Sequence, residues 1–500
     1  MIESSLAVAL VSQGRQLDDE LLAEMLEHQG VPFEVITGES PHPSSPVVSL
    51  PTAPLGDVRR FAIAVMAHRS AEGLALALQR TERDGRHRRA GTGRGGEDRK
   101  PDGVVVADEF VDFATVGKLL KGEVDNRKDN FGLELNIEEG KLVTGIAERM
   151  KDVGLPLVLK ANWPGDARGC CVLTHDVDWL SFSPFHKIVL KGLKKKPSRI
   201  PGLVYRGALR GKNYGWNIPE TIELERKYGY RSTFLLMTRY TEAKSLLAKS
   251  IEMMKSSGCE IALHGSESSH LSVEALKAEL ELFRAAVGYY PRGVRNHILK
   301  FKAPHTWAYQ SELGLEYDAT FGYNRYFGFR AGLCLPYHPF TESGRLPIIE
   351  LPTGFMDWTA LHRRRDASNF GSYLETARKR VEEFQGLLVV NFHNTYLNSR
   401  TFPSIMSEYE ALLGKIREEK YWVATAAECA AWWRRRASAR PNPRLNESGE
   451  ILVDRLDGVS VHTFEGGDMG RLRYVEVDVG ERNTVGGGEI NIGVSQDGRA

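Results

Sequence analysis

The chain has 500 residues, 42% hydrophobic and 26% charged, with 66 Lys and Arg against 65 Asp and Glu for a net charge of +1. That length exceeds a single hydrophobic core and calls for two or three domains. The even charge balance excludes a global pull toward nucleic acid or anionic membrane, and no apolar run approaches the roughly 20 residues of a membrane span.

The first stretch, "MIESSLAVALVSQGRQ", places an acid before a short apolar run and has no basic segment. It reads as a strand and not as a leader, so a cytoplasmic location is expected. The five cysteines (Cys170, Cys171, Cys259, Cys334 and Cys429) are odd in number and hold no CxxC pair, the pattern of reduced thiols. Residues 1–160 read as an N-terminal α/β domain. "LAVALVS", "FEVIT", "FAIAVMA" and "GVVVADEF" look like buried strands, and "DDELLAEMLEHQG" like a helix capped at Asp18 and stopped by Gly30. The Gly- and Arg-rich stretch around 83–102 lacks apolar residues and is expected to be a mobile, solvated loop. No GxGxxG follows the first strand, which leaves a dinucleotide site without support.

Residues 166–436 alternate regularly. "CVLTH", "STFLLMT", "EIALH", "GVRNH", "LEYDATF", "PIIELPT", "LLVVNFH" and "YWVATA" are strand candidates. Helices between them end at Gly229, Gly258, Gly288 and Gly386, where left-handed caps are expected. Eight strands alternating with helices predict a parallel α/β fold, a deformed TIM-like barrel of seven or eight strands, with an open doubly wound sheet as the alternative. Trp432 and Trp433 close its last helix and should pack it onto the barrel. Residues 441–500 read as a small β-rich tail.

In such barrels the reacting groups stand at the C-terminal ends of strands. "CCVLTHDVDW" ends in His175, Asp176 and Asp178, "EIALH" in His264, "GVRNH" in Arg295 and His297, and "LLVVNFH" in His393, while Asp318 and Asp357 follow the fifth and sixth strands. Asp176 and Asp178 share a strand face and repel unless a proton or cation lies between them. The residue types suit hydrolysis: Asp178 with His264 holds a divalent cation, Asp176 takes the proton of water, His393 donates to the leaving amine and Arg295 keeps the base ionised. The basic stretch containing Lys194, Lys195 and Lys196 reads as a solvated loop.

With these motifs the region 170–430 resembles the NodB-type polysaccharide deacetylases (carbohydrate esterase family 4), in the branch whose first motif reads D-x-D. "LTHDVDW" matches the first motif, implying Asp176 as base and Asp178 as metal ligand. "EIALHGSESSH" stands where the family has H-[ST]-x-x-H, "GVRNHILKF" resembles the third motif with Arg295, and "LLVVNFHNTYL" the fifth with the acid His393. "TGFMDWTAL" resembles the fourth, with Asp357 and Trp358 flanking that histidine, and "YDATFGYNRYFGFRAGLCLPY" implies Asp318 and Arg330 as substrate-lining residues. One departure is plain: the second histidine of H-[ST]-x-x-H is Ser268, and His270 follows two residues later. The ligand set is therefore Asp178 and His264, completed by Ser268, His270, His175, His297 or water, the alternative being a site that works weakly or without metal; His297 is also a substrate-binding candidate. The resemblance implies a divalent metal, zinc ahead of cobalt or nickel, and deacetylation of an N-acetylated sugar, glycan or glycan precursor at a non-peptide C–N bond. Two other readings stand beside it. One is a glycoside hydrolase using Asp176 and Asp357, and the other a non-catalytic carbohydrate-binding protein on a decayed deacetylase barrel.

Overall fold

A computed structural model describes residues 4–5, 7–11, 16–29, 31, 33–36, 61–66, 104–107, 111–124, 129–152, 156–165, 167–180, 216–238, 244–363, 370–399, 402–441, 443–445, 451–454, 459–464, 474–476, 478–480 and 489–493. The loop at 83–102, Gly30 and the Lys194–Lys196 stretch lie outside these residues. Among the described residues no helix is long and apolar enough to cross a membrane.

The N-terminal third holds four parallel strands, β1 (Ala7–Val11), β2 (Phe33–Ile36), β3 (Phe61–Met66) and β4 (Val104–Val106), in the order β2-β1-β3-β4. Helix α1 (Gln16–His28) begins two residues before Asp18, which therefore sits inside its first turn and does not cap it. Helix α2 (Phe113–Leu120) is capped by Asp112, which accepts from the Ala114 amide at 3.0 Å. Helix α3 (Glu134–Asp152) and strand β5 (Leu157–Lys160) follow. The tail does not stand alone: Val461–Phe464 pairs antiparallel with β5, and Arg444–Leu445 with Ser4–Ser5.

The central sheet carries β6 (Cys170–Val177), β7 (Thr233–Leu236), β8 (Glu260–Gly265), β9 (Gly293–Asn296), β10 (Tyr317–Asp318), β11 (Ile349–Glu350), β12 (Thr353–Met356), β13 (Leu387–Asn391) and β14 (Trp422–Ala424). It runs β11-β10-β9-β8-β7-β6-β13-β12, with β14 paired to the first residues of β6, and the pairings are parallel. The parallel sheet curls into a half-barrel, the deformed TIM-like architecture expected from the alternation. Every residue of β6 and β13 is buried, as parallel strands covered by helices on one face and core on the other must be.

The covering helices are α4 (Ile218–Lys227), α5 (Lys244–Ser256), α6 (Val273–Val287), α7 (His305–Glu312), α8 (Phe370–Glu383), α9 (Pro403–Glu418) and α10 (Ala426–Ser438). Gly229, Gly258 and Gly288 adopt the expected left-handed φ of +78°, +69° and +95° after α4, α5 and α6. After α8 that conformation falls on Gln385 (φ +45°). Gly386 is needed for another reason, since a Cβ there would meet Cys334 Sγ at 2.4 Å. A capping box of Thr425 and Glu428 starts α10. Its Trp432 and Trp433 are buried, with the Trp433 ring 5.5 Å from that of Trp163.

A buried charged cluster fastens α1 to both α3 and the segment before β11. His28 places Nδ1 2.6 Å from Glu139 Oε1 and Nε2 3.0 Å from Glu24 Oε1. Glu24 in turn accepts from the His338 amide at 2.9 Å and lies 2.9 Å from Arg345 Nε.

Candidate functional site

Alternation along β6 turns Thr174 and Asp176 toward the barrel interior, where they meet the guanidinium of Arg295 from β9. This side chain is fully buried and spans the barrel. Its Nη1 donates to Thr174 Oγ1 at 2.7 Å and Asp176 Oδ1 at 3.0 Å, its Nη2 to Thr353 Oγ1 at 3.2 Å, and its Nε to the Ala319 carbonyl at 2.8 Å. The other Asp176 oxygen accepts from Asn391 Nδ2 at 2.7 Å. Burial pushes the Asp176 carboxyl up, but His264, Arg295 and His393 outweigh it and hold it below its ordinary value. Asp176 is therefore a carboxylate at neutral pH, able to accept a proton.

Two residues on, Asp178 faces two imidazoles. Its Oδ1 lies 3.0 Å from His264 Nε2 and 3.3 Å from His297 Nδ1, and the two ring nitrogens are 3.3 Å apart. The parallel register of β8 and β9, which sets His264 beside Arg295, brings His297 to this point. Among the described residues, one group of His, Cys, Asp and Glu side chains could hold a metal ion, and it is Asp178, His264 and His297.

The donor set fits a divalent cation on two observations. His264 Nδ1 donates to the Arg295 carbonyl at 2.9 Å, which leaves the lone pair of Nε2 turned toward Asp178. Asp178 Oδ1 is buried with no hydrogen-bond partner, and it lies with the two imidazole nitrogens in one close group of possible ligand atoms. Burial raises the Asp178 carboxyl, and the surrounding histidines bring it well below the usual carboxylate range.

His393 stands just past β13, the strand beside β6. Its Nδ1 donates to Asp357 Oδ1 at 2.6 Å and its backbone amide to Asp357 Oδ2 at 2.7 Å, so Asp357 fixes both ring and main chain. Asp357 also accepts from the Trp358 amide at 2.6 Å and is fully buried. Its oxygens are thus committed to orienting His393, which does not suit a second carboxylate facing a sugar. The free His393 Nε2 lies 3.8 Å from Asp178 Oδ2 and 4.0 Å from Asp176 Oδ2. Burial works against charge on this imidazole, but Asp357, Asp178 and Asp176 push its pKa up to about 10. It carries a proton at neutral pH.

Asp176, Asp178, His264, His297, Arg295, Asp357 and His393 therefore meet at one end of the sheet, and the Trp358 ring lies 6.5 Å from that of His393. Five other candidates are placed elsewhere. Ser268 Oγ is 3.1 Å from Ser266 Oγ in a serine-rich turn after β8. His270 stays outside the Asp178 group, with a buried Nδ1 that makes no hydrogen bond. Asp318 is sealed in the core, where it accepts from Gln310 Nε2 at 2.8 Å and Thr320 Oγ1 at 2.6 Å and lies beside Glu350 across the β10–β11 ladder. Arg330 stacks its guanidinium 4.1 Å from the centre of the Phe321 ring. His175 faces the helical layer. Asn391 was missed by sequence reasoning, although its position two before His393 turns it to the same strand face.

No family model matches the chain, and no curated protein does. Among solved structures it is similar to a putative polysaccharide deacetylase from Mycobacterium smegmatis, at 17% identity and a TM-score of 0.41, covering 55% of this chain and 93% of that one. A CE4 family pseudoenzyme from Bacillus anthracis matches at 13% identity and a TM-score of 0.29, covering 53% and 66%. The peptidoglycan deacetylase PdaC from Bacillus subtilis matches at 13% identity and 0.28, covering 53% and 92%.

Proposed function

We propose that the chain is a metal-dependent hydrolase of acetamido C–N bonds on an N-acetylated sugar, glycan or glycan precursor. The observation that carries this reading is the pairing, across about 4 Å, of a proton-accepting Asp176 with a proton-carrying His393 beside the Asp178–His264–His297 group. Asp178, His264 and His297 would hold the ion, with zinc the first choice for one carboxylate and two imidazoles. Such an ion polarises an amide carbonyl and acidifies water. Asp176, kept ionised by Arg295, accepts the proton of the attacking water. His393, oriented by Asp357, gives its Nε2 proton to the departing amine nitrogen, and the products are acetate and a free amine.

The test is acetate release from N-acetylated oligosaccharides in the presence of zinc, cobalt or nickel. Asp176→Asn should lower the rate by about 10²–10⁴-fold, the usual contribution of a general base. No release from the wild-type protein, or equal release from D176N, overturns the proposal. The first of these outcomes would leave the carbohydrate-binding reading, which the serine at position 268 prompts.

A further inference from the structure

Thr174 and Asp176 face the barrel interior, so His175 between them faces the helices. It is fully buried, with Nδ1 3.1 Å from the Phe392 carbonyl and Nε2 2.7 Å from Glu225 Oε1 on α4. The same Glu225 oxygen accepts from the Tyr409 hydroxyl of α9 at 2.6 Å, and Oε2 accepts from Ser232 Oγ at 2.7 Å. Both are fully buried as well. A carbonyl oxygen is satisfied only by a donor, so Nδ1 carries a hydrogen aimed at Phe392. Burying a carboxylate this deeply is costly unless its partners are complete, and here three elements supply them.

What this cluster does follows from where Phe392 stands, immediately before His393. Past the end of the β6–β13 ladder the two strand tips are tied by the Phe392 amide to the Thr174 carbonyl at 3.0 Å and by the Asn394 amide to the Asp176 carbonyl at 3.2 Å. The His175 side chain adds a third tie between them, from the residue before Asp176 to the residue before His393. We propose that His175, locked in orientation by Glu225, is a positioning residue that sets the separation of Asp176 and His393. This rests on the proton-transfer roles proposed above for those two groups.

Two substitutions dissect it. His175→Gln keeps polar reach toward Glu225 but withdraws the donor from the Phe392 carbonyl. Glu225→Gln leaves the Oε1 acceptor that orients the imidazole. H175Q should lower kcat about 100-fold with KM nearly unchanged, the scale on which roughly 1 Å of misplacement acts, while E225Q should keep kcat within about threefold. If H175Q does not fold, His175→Asn, whose amide nitrogen stands as many bonds from Cβ as Nδ1, should fold and retain kcat. Wild-type kcat in H175Q, a matching rise in KM, or an equally inactive H175N overturns the proposal. Should the wild-type protein release no acetate, the crystal structure of H175Q, or of H175N if H175Q does not fold, decides independently of activity. In H175Q, widening of the 4.0 Å between Asp176 Oδ2 and His393 Nε2 by about 0.5 Å or more supports the role, and an unchanged distance refutes it. In H175N the readings invert: 4.0 Å retained supports the role, and widening refutes it.

Discussion

Replacing His28 by Gln should loosen the N-terminal helix and remove a pH dependence with a defined direction. Both ring nitrogens of His28 rest on carboxylates, Glu139 at 2.6 Å and Glu24 at 3.0 Å. Burial opposes charge on the imidazole, but the two carboxylates prevail and raise its pKa from 6.5 to about 10. The folded protein thus keeps a proton that the unfolded chain releases above 6.5. The stabilisation is complete below that pH and fades as pH climbs toward 10, an amount of about 5 kcal/mol at ~1.4 kcal/mol per tenfold. Glu24 works the other way: burial raises it, but Arg345, His338 and His28 hold it far below 4.5, so its share is present above 4.5 and lost on acidification. Urea unfolding followed by circular dichroism from about pH 5.5 to 10 should show a midpoint that falls steadily above 6.5 in the wild-type protein and falls much less in H28Q. A flat wild-type profile over that range, or an undiminished slope in H28Q, refutes the reasoning.

Other outcomes follow from the site and the fold. His297→Ala should abolish stoichiometric zinc uptake measured by elemental analysis of the dialysed protein, whereas His270→Ala should leave it intact. Asp357→Asn, which removes the charge that orients and protonates His393, should cost about 10²–10⁴ in kcat for acetate release with little change in KM. Gly328→Ala should fail to accumulate as folded protein, because φ is +102° and a Cβ would stand 1.8 Å from the Asn130 carbonyl oxygen; normal expression and melting would contradict the backbone path described.

Two central strands of the half-barrel were legible because each opens on an uninterrupted apolar run and is followed closely by ionisable residues, Cys170–Val177 by Asp178 and Leu387–Asn391 by His393. The second imidazole of the Asp178 group was less so. An i, i+4 pairing of position 264 with 268 presumes a helical turn after β8, yet the chain forms a serine-rich turn there, with Ser269 Oγ bonded to Asn296 Oδ1 at 2.8 Å and the Ser266 hydroxyl to Glu279. His297 reaches Asp178 through strand register, which has no short-range signature. Asp318 misled for the opposite reason. It ends a strand as the others do, but β10 is two residues long and sets this carboxyl against Glu350, where burial raises both. The tail's pairing with β5 joins residues some three hundred apart, beyond the reach of periodicity.

Arg295 serves two masters. The guanidinium that steadies Asp176 also staples β6, β12 and the turn after β10 to one another, so losing it would collapse the barrel along with any chemistry. A descendant of this fold would be obliged to retain that arginine for its framework, whereas Asp178 and His297 meet at the mouth, beyond the ends of their strands, and could drift more freely. In comparing such chains, the residues at the mouth discriminate working sites from silent ones, and the peg at the centre does not.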